Sequence, residues 1–413
     1  MTTTSAPGPL EGLRVVELAS AHAAFAGKLL GDLGAEVIVV EPPGGHPSRW
    51  YGPFAGDEPG PERSLFWWHY NTSKLGVVID LDDVAARRAF RRLVATADIV
   101  LEAEAPGRLS ALGIDHDTLL RAHPRVVWVS LTAFGRDNPR SAEQATDLTV
   151  LAGGGPVWSC GYDDHSLPPV RGGGNQGYQT GAMFAALGAL TAVLARDITG
   201  QGQHVDVSMH AAANVTTEGA SYWWLVCNQT VQRQTMRHAN VTPTRASFAI
   251  SADGKYIHSG FPPRSAEEFA AILGWIDELG LRGEFPDAVF LEVGIERGGV
   301  QLAEVGVDVE ATEAYGAGRD GLVLIASRLP AKEFFEGAQA RGLACGPVNS
   351  PEEALTDAHF VARGFPVTVA HDDVDVVYPG APFISTASPW RISRRAPHVG
   401  EHDEVVLEHL PET

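Results

Sequence analysis

Short β-branched apolar runs alternate with helix-spaced segments through the first third of the chain, and this alternation restricts the fold most. Leu13–Leu18 is a valine-rich run, and Ala23–Leu33 carries Phe25, Leu29, Leu30 and Leu33 at helical spacing before Gly34. Val37–Val40 is then continuously apolar and mostly β-branched. A parallel strand buried on both faces has this texture. The alternation continues with strands at Val77–Leu81, Ile99–Leu101 and Val126–Ser130 and a helix over Val84–Ala97. An open, doubly wound, Rossmann-like α/β sheet is predicted. Gly181–Arg196 is predicted as a helix, His204–Val207 as a strand and Glu333–Gly342 as a helix. Between about Tyr222 and Ile325, tryptophans, turns and short helices replace the alternation, which predicts a second, smaller α+β domain.

A chain of 413 residues has enough length for two domains, and its apolar share of 44% supplies their cores. The formal net charge of −20 opposes general binding to nucleic acid or anionic membrane, while leaving room for a local cationic site. Cys160, Cys227 and Cys345 are widely spaced, match no metal motif and suit a reducing compartment. MTTTSAPGPLEG lacks the pattern of a signal peptide, and the apolar stretch Ala182–Leu194 is too short to span a bilayer. A cytoplasmic protein without a metal is expected.

Individual motifs each carry two readings. Leu18–Ala24 has neither G-x-G-x-x-G nor a Walker lysine, so no tightly bound nucleotide cofactor is expected. His22 stands where the first helix begins, a place that favours a neutral ring suited to catalytic hydrogen bonding; the alternative is a packing histidine. Gly172–Gly177 is a glycine-rich loop whose amides suit an oxyanion, or merely a turn. Asp147 is either a helix cap or an acid–base group. Asp163-Asp164-His165 has the character of a solvated loop. Trp67-Trp68-His69-Tyr70-Asn71 suits stacking of an adenine or aromatic acyl group, or core packing. Arg49, Arg63, Lys74, Arg136 and Arg140 are candidate phosphate partners, with surface solvation as the default.

A series of ordered segments resembles family III CoA-transferases, the CaiB/BaiF family. Leu10–Leu18 and Leu33–Gly44 resemble its first two strands, and Asn71-Thr72-Ser73-Lys74 with Asp80-Leu81 its N-x-x-K…LDL element. Ala97–Glu102 with Leu112-Gly113, His123–Ser130, and Gly200–Met209 follow in place. Gly346–Asn349, Pro379–Phe383 and Ala396–His402 complete the series. The resemblance implies a large domain over 1–221 plus 331–413, a small domain over 222–330, and an interlocked dimer. It implies coenzyme A or acyl-CoA as substrate, held here by His22, Ala23, Asn71, Lys74, Arg108 and Arg136. It also implies an aspartate that attacks the acyl-CoA carbonyl, since one group must serve as nucleophile and leaving group.

That aspartate should stand four residues before Gly181, at Gly177, beside Gln176. No Asp or Glu occurs from Arg171 to Thr180, so the aspartyl route is excluded at this position. Pro42 and Ala111 stand where basic residues are expected, and Val241–Arg245 lacks the glycines of a shielding flap. The racemase branch's histidine would fall at Thr146. Three readings follow. The first is a non-catalytic subunit beside a paralogous chain that carries the aspartate. The second is a stand-alone acyl-CoA isomerase, epimerase or lyase using His22, Asp147 or His210 as its base. The third is a homodimer that binds CoA esters without turnover.

Overall fold

The computed structural model describes residues 6–234, 237–240, 247–260 and 262–411. It divides into two compact units. The first comprises Met1–Val157, Arg171–Glu218 and Leu355–Thr413; the second comprises Trp158–Val170 and Gly219–Ala354. The second unit therefore takes in 158–170, 219–221 and 331–354 as well as the 222–330 that the resemblance implies.

The first unit is built on six parallel strands: β1 (Arg14–Leu18), β2 (Glu36–Glu41), β3 (Lys74–Val78), β4 (Ile99–Glu102), β5 (Val127–Thr132) and β6 (His204–Ser208). Their order is β3-β2-β1-β4-β5-β6, the doubly wound arrangement expected from the alternation. Neighbouring residues serve opposite faces, because side chains alternate along a strand. Val15, Val37, Ile99 and Val129 enter one layer, and Val16, Ile38, Val100 and Trp128 the other. Helices α1 (Ala24–Asp32), α2 (Leu65–Asn71), α3 (Ala86–Val94), α4 (Arg108–Ala111), α5 (His116–Ala122), α6 (Asp147–Gly154), α7 (Gln176–Thr199) and α8 (Met209–Val215) belong to this unit, as do helices Ala358–Ala362 and Asp403–Leu407 and the antiparallel strands Pro366–His371 and Val374–Pro379.

Helix α7 begins five residues earlier than expected and is 24 residues long. Among the described residues it is long and apolar enough to cross a membrane, a correction to the shorter stretch read from the sequence. Its Ala182, Ala185, Ala189 and Ala192 are buried in the layer shared with α1 and β5. Small side chains allow this close approach. Since α7 leads into β6, its N-terminus lies at the carboxyl edge of the strands, where open α/β sheets bind ligands.

The second unit is α+β. Helices Ala266–Glu278, Ala288–Glu296, Val309–Arg328 and Ala331–Ala340 surround Phe269, Trp275, Leu291 and Phe334. A three-stranded antiparallel sheet joins Phe248–Ile250, Tyr256–His258 and Gly346–Pro347. The expected flap segment, Val241–Arg245, lies outside the described residues.

Two polar features lie inside the first unit. Lys74 Nζ, fully buried, reaches Glu17 at 2.8 Å and also donates to Asn71 Oδ1 and the Ala24 carbonyl, each at 2.9 Å. Burial pushes Glu17 up to about 7 against the pull of Lys74. On α2, Trp68 stacks on the buried His371 at 4.0 Å, and His371 Nε2 lies 2.6 Å from the Tyr378 hydroxyl.

His46, His69, His204 and His371 are each lowered to about 4, with burial the leading cause. An unfolded histidine takes its proton near 6.5, so between about pH 6.5 and 4 the unfolded chain binds more protons than the folded one. Stability from this source is complete above about pH 6.5 and is lost as pH falls towards 4. Urea midpoints are expected to stay level from pH 7.5 to about 6.5 and to fall from there to pH 5; a flat profile across the whole range contradicts the buried neutral histidines.

Candidate active site

The first turns of α1 and α7 meet at the carboxyl edge of the sheet. Asn175 precedes α7 but its side chain makes no capping bond. The cap comes instead from α6: Asp147 Oδ1 accepts from the amides of Gly177 at 2.8 Å and Tyr178 at 3.2 Å. Asp147 Oδ2 lies 3.2 Å from Arg171 Nη1. The Thr146–Thr149 capping box fixes the turn that holds Asp147. Asp147 is thus a cap, though for a helix thirty residues away rather than its own. A carboxylate beside a helix N-terminus meets both unsatisfied amides and a favourable dipole.

Gly177 is not in a loop, as expected, but buried in the first turn of α7. A Cβ there would stand 3.1 Å from Asp147 Oδ1 and 3.2 Å from the Leu151 side chain. The glycine therefore gives the Asp147 carboxylate its close approach. Gln176 beside it is exposed.

His22 sits just before α1, its ring 4.4 Å from that of Tyr178. Burial lowers its pKa, so the ring is neutral near pH 7. Gln179 Nε2 donates to the Tyr70 hydroxyl at 2.8 Å. Tyr70 packs on Phe66 at 4.7 Å, and Phe66 on Tyr51 at 5.2 Å. Tyr51, Tyr178, Gln179 and Arg171 were not singled out from sequence. The helical spacing of Tyr178 with Gly181 and Ala182 was the available signal, had α7 been started five residues earlier.

His210 stands apart from this turn. It begins α8, and its ring lies against Phe134 and against Gly153, at the other end of α6 from Asp147.

Most of the expected CoA contacts are otherwise engaged. Lys74 and Asn71 belong to the buried network around Glu17, so neither presents a free group to a phosphate. Ala23 is fully buried before α1. Arg136 pairs with the buried Glu102 at 2.9 Å. Arg49 is likewise buried, forking onto Glu41 with two 2.7 Å bonds. Arg108 is exposed, between Glu104 at 3.0 Å and Asp82 at 3.4 Å. Arg63 and Arg140 pair with neighbouring acids at the surface. Of the aromatic run in α2, Trp67 and Trp68 are core, donating to the carbonyls of Pro397 and Glu62. No group of three or more His, Cys, Asp or Glu among the described residues is placed to hold a metal.

A family model, CoA-transferase family III, matches residues 10–287 and 307–403. The succinyl-CoA:(R)-benzylsuccinate CoA-transferase subunit BbsE of Thauera aromatica is 31% identical over 402 residues, covering 95% of this chain and 92% of that protein. The succinate–glutarate CoA-transferase of Agrobacterium fabrum is 28% identical, covering 97% of this chain and 96% of its own. A CaiB/BaiF family protein from Brucella suis has the same fold, with a TM-score of 0.79 over 98% of this chain and all of its own, at 24% identity.

Asp147→Ala removes the acceptor of two buried amides and the partner of Arg171. A loss of about 1–3 kcal/mol is expected in urea unfolding, with Asp147→Asn losing less because it keeps an acceptor oxygen. Unchanged stability in both variants would show that the cap does not hold α7.

Proposed function

This chain belongs to CoA-transferase family III, and on that premise we propose that it is the supporting subunit of a transferase made of two unlike chains. The partner is a paralogue carrying the carboxylate nucleophile, and the pair moves CoA between an acyl-CoA thioester and a carboxylic acid. The observation that carries this reading is Gly177. Transfer through a carboxylate needs an oxygen that attacks the thioester carbonyl and expels the CoA thiolate, and a carboxyl carbon that the thiolate then attacks, releasing the acid and leaving CoA on the protein. Glycine offers none. Asp147, the nearest carboxylate, has one oxygen bound to two amides and the other facing Arg171.

Two further facts favour a partner. The Thauera relative is itself named as a subunit. In this chain, Met183, Leu187, Leu194 and Ile198 form an exposed apolar stripe at helical spacing along α7, with Ile198 87% exposed. An apolar stripe on a long helix is ordinarily covered by something. Coenzyme A enters as substrate, no tightly bound cofactor is needed, and the reading places the pair in the cytoplasm.

Co-expression with an aspartate-bearing paralogue is expected to yield a stable complex that transfers CoA. Neither chain's own activity should match the pair, and hydroxylamine should trap the thioester only on the partner. Transfer at full rate by this chain alone, or failure of the two to copurify, would falsify the proposal.

A further inference from the structure

The turn that lost its nucleophile is walled by rings. Tyr51, Phe66 and Tyr70 form one contact series, with centroid distances of 5.2 and 4.7 Å. The Gln179–Tyr70 bond fastens that series to α7, one residue from Tyr178 and its partner His22. Tyr51 is 46% exposed, and Phe66, Tyr178 and His22 are partly exposed, while Tyr70 is buried behind them. Flat, partly solvated rings beside a few fixed polar atoms suit an aromatic group, which gains by offset or edge-on stacking.

Charge narrows the class further. Arg171, the cation at this turn, is matched by Asp147 at 3.2 Å. His22 is held neutral by burial, and neither of its ring nitrogens has a protein hydrogen-bond partner among the described residues. Lys28 and Lys74 are engaged with Asp32 and Glu17, each at 2.8 Å. A second carboxylate, such as the distal group of a succinyl chain, would meet no unmatched cation among the described residues at this turn, and leaving such a charge unpaired is costly. An uncharged ring meets no such penalty.

We propose that this partly exposed set of rings binds an aryl-acyl CoA thioester through Tyr51, Phe66 and Tyr178 and holds it without cleaving it. This deepens the paired-subunit reading and rests on it for one point only, that the bound thioester does not react with this chain. The carbonyl would lie near His22 and the α7 turn, with the CoA portion leading away along the carboxyl edge of the sheet.

Calorimetric titration of the purified chain with phenylacetyl-CoA, succinyl-CoA and CoA tests this. Phenylacetyl-CoA is expected to bind roughly tenfold more tightly than succinyl-CoA, the equivalent of one strong ring contact. Tyr51→Ala and Tyr178→Ala should each remove most of that preference while leaving the affinity for CoA unchanged. Tyr51 is half exposed, so its variant is expected to keep the parent's melting temperature and remains informative should Tyr178→Ala misfold. Equal affinity for the two thioesters, binding of neither, or a preference that survives Tyr51→Ala overturns the inference and leaves the paired-subunit reading intact. Breakdown of the thioester by the chain alone overturns both the holding role and that reading.

Discussion

One carboxylate ties the candidate site together. A helix as long as α7 ends in amides that its own turns cannot satisfy, and the residue before it makes no side-chain cap. Asp147 supplies the missing acceptor from α6, whose first turn is itself locked by Thr146 and Thr149. The register of α6 against α7 therefore depends on a contact between two amides and one oxygen. Gly177 leaves the space for it, since a Cβ would stand only 3.1 Å from that oxygen. An aspartate at 177 would bring a second carboxylate close to the first, and one of the two would be pressed to keep a proton. In this chain the carboxylate that architecture needs is kept, and the one that chemistry would need is gone.

The cations follow the same division. With 31 basic against 51 acidic residues, positive charge is scarce, and several of these cations are turned inward. Arg49 serves Glu41 and Glu62, Lys74 serves Glu17, Lys28 serves Asp32, and Arg136 serves Glu102. Breaking a buried pair by removing one partner costs far more than the pair contributes, so drawing one of these cations to a phosphate would uncover a buried acid. Pro42 and Ala111 add nothing where basic residues were expected. Arg108, like Arg63 and Arg140, pairs with acids that are not buried, and can turn towards a phosphate without uncovering a buried carboxylate.

The large fold was legible because its signal is dense. Val15, Val37, Ile99 and Val127 lie in runs that have no amphipathic alternative, and all became central strands. The site was legible only in its absences. Asn71 and Lys74 read as polar residues of a phosphate element, but no local pattern reveals that Glu17, fifty-seven positions away, lies 2.8 Å from the lysine. Asp147 could be read as a cap, yet which helix it caps is a tertiary fact. The start of α7 was missed because Gly172-Gly173-Gly174 suggests a loop, and the sequence gives no sign that a distant side chain would let the helix begin at Gln176. His22 was placed correctly before α1, and its neutrality comes from burial more than from the helix end named beforehand.

Openness at this turn is consistent with the lost nucleophile. A mixed anhydride must be shielded from water, because hydrolysis competes with transfer at the same carbonyl. A pocket that never forms the anhydride is released from that demand. Tyr51, 46% exposed, stands among these rings where a reacting enzyme would gain by excluding solvent. Rings tolerate such partial hydration, since their stacking does not require a dry cavity, whereas an oxyanion contact weakens as water enters. On the paired-subunit proposal, the glycine at 177, the partial exposure of the rings and the α6–α7 cap have one physical account. The acceptor that folding needs at this turn is present, and position 177 offers no oxygen for covalent transfer.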